Sequence, residues 1–391
     1  MTRAEAAALR LDPPPFRDDT ALAAVWDALP EARIAGGAVR DVLAGRPVSD
    51  IDLATPRTPD EVTAALLAAG LRVVPTGVAH GTVTAVAERR GFEVTTLRRD
   101  VETDGRHAVV AFTADWRQDA SRRDFTINAM SMARDGSVFD YFGGAGDLAA
   151  GRVRFVGDPA TRIAEDYLRI LRFFRFHGRY GRLPPDGVTV AALRAGIPGL
   201  VRLSVERIWS ELRLILSAQD PSATVALMQA LGVWGAVLPE ASAIARLRGL
   251  PPDALLRLAA MLTAEPLPLA LRLKLSNDDR DRLVRLLTTP SPRPDDDDAA
   301  LRRLLADYEQ RDLIDRVWLD GGPAALRHRL AAMARPVFPL EGRDVVALGV
   351  APGPRVGALL RDVRQWWLDG GCTANKPACE AELARRSCAP P

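Results

Sequence analysis

The 391-residue sequence predicts an α+β head followed by an all-helical remainder. Three observations carry this. Strand and helix signals alternate through the first 150 residues. Two runs of alternating β-branched residues flank Arg89-Arg90-Gly91, a hairpin signal. After Gly157 the pattern turns almost wholly to apolar stripes of 3.6-residue period, the mark of packed helices. The expected segments are 1–150, 151–217, 218–290 and 291–391.

In chain order, residues 33–35 read as a strand, 39–44 as a helix opened by Gly36-Gly37, and 50–54 as a second strand. Residues 58–69 read as a helix with Thr58 as its cap and Glu61 three residues on, the spacing at which each side chain satisfies the other's backbone N–H. Residues 82–88 and 92–97 form the hairpin. Pro290-Ser291-Pro292-Arg293-Pro294 and the four aspartates after it read as a linker or as the acidic start of another helix. Helix is expected from about residue 299 onward, and no internal repeat is evident.

Composition narrows the class. The chain is 48% apolar and 26% charged, ordinary for a soluble globular protein. A net charge of +2 excludes a generic polyanion binder. Charge is uneven, with twelve arginines against six acids between Gly151 and Ile215, while Lys274 and Lys376 are the only lysines. Guanidinium forks suit phosphate and base edges, though codon composition explains the same bias. The N-terminus lacks the apolar stretch and cleavage site of a signal peptide. The uncharged run from 221 to 239 holds prolines at both ends and two glycines, so it reads as a buried helix and turn, not a membrane span. Cys372, Cys379 and Cys388 match no zinc spacing and read as reduced thiols, which places the expected compartment in the cytoplasm.

The chemistry concentrates in three constellations. Gly36-Gly37-Ala38-Val39-Arg40-Asp41 opens a helix whose bare N–H groups suit phosphate oxygens. Asp50-Ile51-Asp52 follows, and two carboxylates one residue apart on a strand share a face. Such a pair suits Mg²⁺, which takes one or two carboxylates together with substrate phosphates. Glu93, on the neighbouring hairpin, reads as a third carboxylate or as an exposed strand-face residue. Arg122-Arg123-Asp124-Phe125-Thr126-Ile127-Asn128 sets paired arginines before a helical start, where they face a phosphate or ribose, or solvent.

The third constellation runs Glu165-Asp166-Tyr167-Leu168-Arg169-Ile170-Leu171-Arg172-Phe173-Phe174-Arg175. At about 100° per residue, Ile163, Tyr167, Ile170, Leu171 and Phe174 form one face of a helix. Arg169, Arg172, Arg175 and Arg179 form the other. The basic face is solvated, or Asp166 and Arg169 make a hydrogen-bonding edge for a base. Cytosine and adenine both carry an amine beside a ring-nitrogen acceptor, so one Asp/Arg pair would accept both.

Together with Leu203-Ser204-Val205-Glu206-Arg207-Ile208, this ordered set closely resembles the class II tRNA nucleotidyltransferase (CCA-adding) and bacterial poly(A) polymerase family. The resemblance covers about 180 residues, and only 342–357 of the remainder loosely resembles some members. It implies a polymerase-β-like catalytic head (1–150), a neck with a nucleotide-selecting helix (151–217), a body (218–290) and a tRNA-binding tail (291–391). It implies Asp50 and Asp52 as Mg²⁺ ligands. It also places Gly36, Gly37, Arg40 and Arg123 near the triphosphate and sugar. Asp166, Arg169, Arg172 and Arg175 become the nucleotide-selecting set, with Glu206 and Arg207 orienting neighbours.

Within the family, His80-Gly81-Thr82-Val83-Thr84 and Phe92-Glu93-Val94-Thr95-Thr96-Leu97-Arg98 are more similar to CCA-adding members. The stretch 100–119 reads as the flexible loop that accompanies addition of the terminal A, with Gly105 as hinge. None of the four histidines precedes an Asp, so an appended phosphohydrolase is not expected. The implied reaction is template-free addition of C, C and A to the 3′ end of tRNA from CTP and ATP, with no membrane involved. Poly(A) tailing, and RNA binding on an inactive scaffold, are the alternatives.

Overall fold

A computed structural model describes residues 6–78, 81–103 and 108–388. It divides into two units, Met1–Pro239 and Glu240–Pro391.

The first unit begins with β1 (Leu9–Arg10), α1 (Thr20–Ala28), β2 (Arg33–Ala35), α2 (Gly37–Leu43), β3 (Leu53–Thr55), α3 (Pro59–Ala68) and β4 (Arg72–Gly77). There follow β5 (Thr82–Ala87), β6 (Arg90–Thr96), β7 (Arg98–Thr103), β8 (Ala108–Phe112), α4 (Trp116–Ser121), β9 (Ser131–Met132), β10 (Ser137–Phe139) and α5 (Gly144–Ala150). Eight of these strands form one mixed sheet in the order β1-β10-β9-β2-β3-β6-β5-β4, and β7 pairs with β8 alone. Among the described residues only β3 and β6 pair in parallel. The three strands that lead to the site, β2, β3 and β6, are therefore neighbours.

Alternation decides which face is core. Ile34, Leu53, Phe92, Val94 and Met132 are buried on one face against Leu22, Val25 and Trp26 of α1 and Val62 and Leu66 of α3. Each such side chain contributes roughly 1.5–3 kcal/mol on burial. The opposite face carries a small cluster of Ala35, Ala54, Leu97 and Trp116, and residues of the same parity point there: Asp52 beside Ala54, Glu93 two positions before Thr95. The Thr58–Glu61 reciprocal cap forms as expected.

Three local expectations are corrected. The second strand starts at Leu53, so Asp50 and Asp52 lie in the extended lead-in, although Ala35 still donates to the Asp52 carbonyl at 2.9 Å. The hairpin turns at Glu88-Arg89, both left-handed (φ +49° and +66°), and not at Arg89-Arg90-Gly91. A two-residue loop with both residues at positive φ matches the twist of the strands it joins, and this outweighs the glycine signal. The stretch expected as a flexible loop carries β7, β8 and most of α4. Gly105, its expected hinge, and His80 lie outside the described residues.

The unit continues through α6 (Pro159–Glu165), α7 (Leu168–Tyr180), α8 (Gly187–Gly196), α9 (Val205–Leu216), α10 (Ser222–Ala230) and α11 (Val233–Val237). α7 packs on the head through aromatic side chains outside the expected apolar face, Phe176 falling among the arginines: Phe125–Phe176 ring centroids lie 5.2 Å apart and Phe155–Phe173 5.8 Å. The expected continuous helix through Asp166 is broken. Asp166 is extended (φ −155°, ψ 107°), and its Oδ1 accepts from the Leu168 N–H at 3.1 Å, capping the second helix. Tyr167, at the start of α7, packs where a side chain at Gly199 would collide with its ring at 2.0 Å.

The second unit is helical: α12 (Ala254–Met261), α13 (Pro266–Arg272), α14 (Asn277–Thr288), α15 (Asp298–Asp307), α16 (Gln310–Leu319), α17 (Ala324–Ala332), α18 (Gly342–Ala347), α19 (Pro354–Asp369) and α20 (Lys376–Ser387). The aspartate run is an acidic helix start, with Asp297 capping α15. Leucines of α15 to α17 form one apolar cluster, and Trp367, Val363, Cys379 and Leu383 anchor another. No described helix is long and apolar enough to cross a membrane.

Candidate active site

Gly36 ends β2 with φ +67° and opens α2. A Cβ there would stand 2.7 Å from Arg123 Nη1, so the absence of a side chain is what lets that guanidinium lie over the helix start. Arg123 is held from two sides, donating to Asp119 Oδ2 (3.2 Å) and to the Asn128 carbonyl (3.4 Å).

A cleft of about 480 Å³ opens here, lined by Gly36, Gly37, Arg40, Arg123, Asp166, Arg169, Arg172 and Arg175, with Arg122, Asp124, Asn128 and Phe176. All eight residues expected to bind nucleotide thus share one wall. They come from the start of α2, the turn after α4, the extended residue between α6 and α7, and the basic face of α7.

Each arginine is fixed by a partner. Arg172 donates to Asp124 Oδ2 from Nε (2.8 Å) and Nη2 (2.5 Å). Arg175 donates from Nε to Glu211 Oε2 on α9 at 2.6 Å. Arg169 pairs with Glu165 and donates to the Arg162 carbonyl (2.9 Å), not to Asp166. Asp166 instead accepts from Arg207 at 2.7 Å, so Arg207 orients it as expected. Arg40 is buried, chelated by Asp41 (3.1 and 3.0 Å) and stacked against Tyr180 and Phe176. Its guanidinium joins α2 to α7 as well as facing the cleft.

The carboxylates Asp50, Asp52 and Glu93 do not line this cleft; they gather beside it, with Asp52 in electrostatic reach of Arg123. The β3–β6 register sets Leu53 beside Val94, which puts Asp52 beside Glu93. The Asp52 carboxyl is pushed above the ordinary 3.8 by the protein that displaces water around it, then by the like charges of Glu93 and Asp50. Arg123 opposes the shift. Asp50 accepts from Ser49 Oγ at 2.9 Å. Among the described residues no three His, Cys, Asp or Glu side chains converge into a preformed metal cage. Asp52, Asp50 and Glu93 nonetheless supply hard oxygen donors whose negative charge Arg123 offsets only in part, the set a divalent cation suits when substrate oxygens complete its shell.

Comparison with known proteins bears on this geometry. Residues 32–154 match the Poly A polymerase head domain, and 184–244 match the probable RNA and SrmB-binding site of polymerase A. The chain is 38% identical to CCA tRNA nucleotidyltransferase 1, mitochondrial, of Mus musculus, over 88% of this chain and 85% of that one. The chain belongs to the class II tRNA nucleotidyltransferase and bacterial poly(A) polymerase family. A CCA-adding enzyme of Lacticaseibacillus paracasei is 30% identical over 86% of this chain and 87% of its own. The solved Bacillus stearothermophilus CCA-adding enzyme in complex with CTP superposes with a TM-score of 0.78 at 26% identity, covering 96% and 98% of the two chains.

For this nucleotidyltransferase, sequence reasoning overlooked the acids that aim the arginines. Asp119 binds both Arg122 (2.8 Å) and Arg123, and Glu211 braces Arg175. Asp119 sits three and four residues before its partners on α4, a helical ion-pair spacing visible in the sequence. Glu211 and Tyr180 left no such signal, because their partners lie far along the chain.

Proposed function

We propose that the protein adds C, C and A in turn to the 3′ end of tRNA, taking CTP and ATP and releasing pyrophosphate, with no template. The tRNA 3′-hydroxyl loses its proton and attacks the α-phosphate; the O3′–Pα bond forms as the bond to the β-phosphate bridging oxygen breaks. The observation that carries this reading is the cleft in which a phosphate-suited helix start meets an arginine-rich helix face, with Asp52 beside it in electrostatic reach of Arg123, Asp50 and Glu93.

Asp50 and Asp52 would hold Mg²⁺, with Glu93 as a further donor. Bound there, the ion supplies Lewis acidity to the attacking hydroxyl and neutralises charge on the departing pyrophosphate. Gly36, Gly37, Arg40 and Arg123 receive triphosphate and sugar. Asp166 accepts from the exocyclic amine of cytosine or adenine, Arg169 donates to the adjacent ring nitrogen, and Arg172 and Arg175 hold the surrounding charge. The reduced thiols Cys372, Cys379 and Cys388 fit a cytoplasmic setting, and fractionation of cells bearing the tagged protein tests that.

The decisive assay supplies purified protein with Mg²⁺, tRNA lacking its CCA end, and labelled CTP or ATP. Two cytidines and one adenosine are expected. Absence of incorporation overturns the reading, and a long A-tail without cytidine replaces it with poly(A) polymerase.

A further inference from the structure

An unbroken file of side chains joins the helix that faces the phosphates to the helix that faces the base. Arg40 of α2 donates from Nη1 to Asn128 Oδ1 at 2.6 Å. Asn128 donates from Nδ2 to Asp124 Oδ1 at 3.0 Å. Asp124 accepts on Oδ2 from Arg172 of α7. Arg40, Asn128 and Asp124 are all buried, at 8%, 7% and 8% exposure.

The amide orientation is dictated by chemistry. A guanidinium only donates and an ionised carboxylate only accepts, so the Asn128 oxygen must face Arg40 and its nitrogen must face Asp124. At this length only asparagine offers both. Aspartate would set carboxylate against carboxylate, and an apolar residue would strip a partner from two buried charged groups. The Asn128 carbonyl also accepts from Arg123, so one residue touches Arg40 of α2 and Arg123 of the turn after α4, and reaches Arg172 of α7 through Asp124.

We propose that Asn128 is a positioning residue that sets the spacing between the α2 phosphate cradle and the selecting face of α7, so that base choice and in-line geometry are fixed together. This rests on the function proposed above. Loss of Asn128 leaves α7 attached to α2 through Tyr180, which donates to Asp41, and through the aromatic packing on Phe125. The fold therefore survives while the register of the two helices slackens. A misplacement near 1 Å in such a site costs up to about 100-fold in rate.

The test uses Asn128→Ala, Asn128→Asp and the exchange Asp124→Asn/Asn128→Asp, assayed on tRNA lacking its CCA end with CTP, ATP and UTP, alongside thermal unfolding. Asn128→Ala is expected to unfold cooperatively, to lose about 10- to 100-fold in kcat with a smaller change in KM, and to raise UTP use relative to CTP. Asn128→Asp should be worse. The exchange should recover part of the loss, because the carboxylate now at position 128 accepts from Arg40 and from the amide at 124. Recovery is partial since the Phe125 N–H, which donates to Asp124 Oδ1 at 2.9 Å, loses its acceptor. Wild-type kcat and wild-type UTP discrimination in Asn128→Ala overturn the proposal, as does failure of that variant to fold. A wild-type protein that incorporates nothing instead overturns the proposed function and leaves no activity for Asn128 to position.

Discussion

Arg207 reaches from α9 across 41 residues of sequence to hold Asp166 Oδ2 at 2.7 Å. Asp166 is the one residue between α6 and α7 with extended backbone, so nothing helical fixes its side chain. Its orientation depends on the Leu168 N–H at one oxygen and on Arg207 at the other.

Arg207→Ala should therefore loosen base selection before it affects the fold. Loss of one charged hydrogen bond of this kind costs roughly 1–2 kcal/mol, or about 10-fold in kcat/KM for CTP and ATP. UTP, which lacks the amine Asp166 would accept, should lose less. Single-nucleotide incorporation rates decide this, and an equal loss for all three nucleotides would show that Arg207 does not act through Asp166.

Asp52 yields a prediction in pH and in metal. Because its carboxyl sits above 3.8 in the folded chain, it takes up a proton at a pH where a free aspartate is still ionised. Metal-free stability accordingly rises as pH falls through that raised value, whereas cation binding and turnover fall. Asp52→Asn should abolish incorporation, leave tRNA affinity intact and unfold no lower than wild type without metal. Mg²⁺ at 100-fold its Kd should add about 2.7 kcal/mol to wild type and almost nothing to the variant. An equal magnesium-induced rise in Tm in both proteins would remove Asp52 from the metal site.

Much of this site was legible because its parts lie close in sequence. Gly36-Gly37, the paired aspartates and Arg122-Arg123 are local patterns, and local geometry fixes their roles in the fold. The break at Asp166 was hidden because Ile163, Tyr167, Ile170 and Phe174 keep helical period across it, and apolar period does not register an aspartate that caps the following helix. The acids that aim the arginines were hidden differently. Asp124 and Arg172 pair only after the aromatic cluster around Phe125 brings α7 onto the head, and Glu211 and Arg175 only after α9 packs on α7. The hairpin turn escaped because Glu88 and Arg89 take left-handed conformations without glycine.

Gly36→Ala tests whether the helix opening must be bare. The new methyl group meets positive φ and a guanidinium at 2.7 Å, a strain of roughly 1–3 kcal/mol. Displacing Arg123 should raise KM for both nucleotides. Gly45, also at positive φ but with open space around a Cβ, is the control: Gly45→Ala should pay the backbone strain while KM stays unchanged. Matching KM values in the two variants would mean that Arg123 does not need the space above Gly36.

Acid should weaken the site from the carboxylates inward. Burial alone would raise Asp124, yet the charge of Arg172 and hydrogen bonds from Asn128, Arg172 and the Phe125 N–H carry it below the ordinary 3.8. Asp119 follows the same logic: burial is outweighed by the charges of Arg123 and Arg122. A folded value depressed below the unfolded one contributes stability that is complete above 3.8 and drains away as pH falls through the folded value. Asp124→Asn should therefore cost about 1–3 kcal/mol at pH 7, where Arg172 loses its charged partner, while its stability declines less steeply than wild type below about pH 4. Urea unfolding at pH 7, 4 and 3 separates the outcomes. Parallel decline in the two proteins would place the acid-labile charge elsewhere, and convergence of the two curves at low pH assigns it to the Asp124–Arg172 pair.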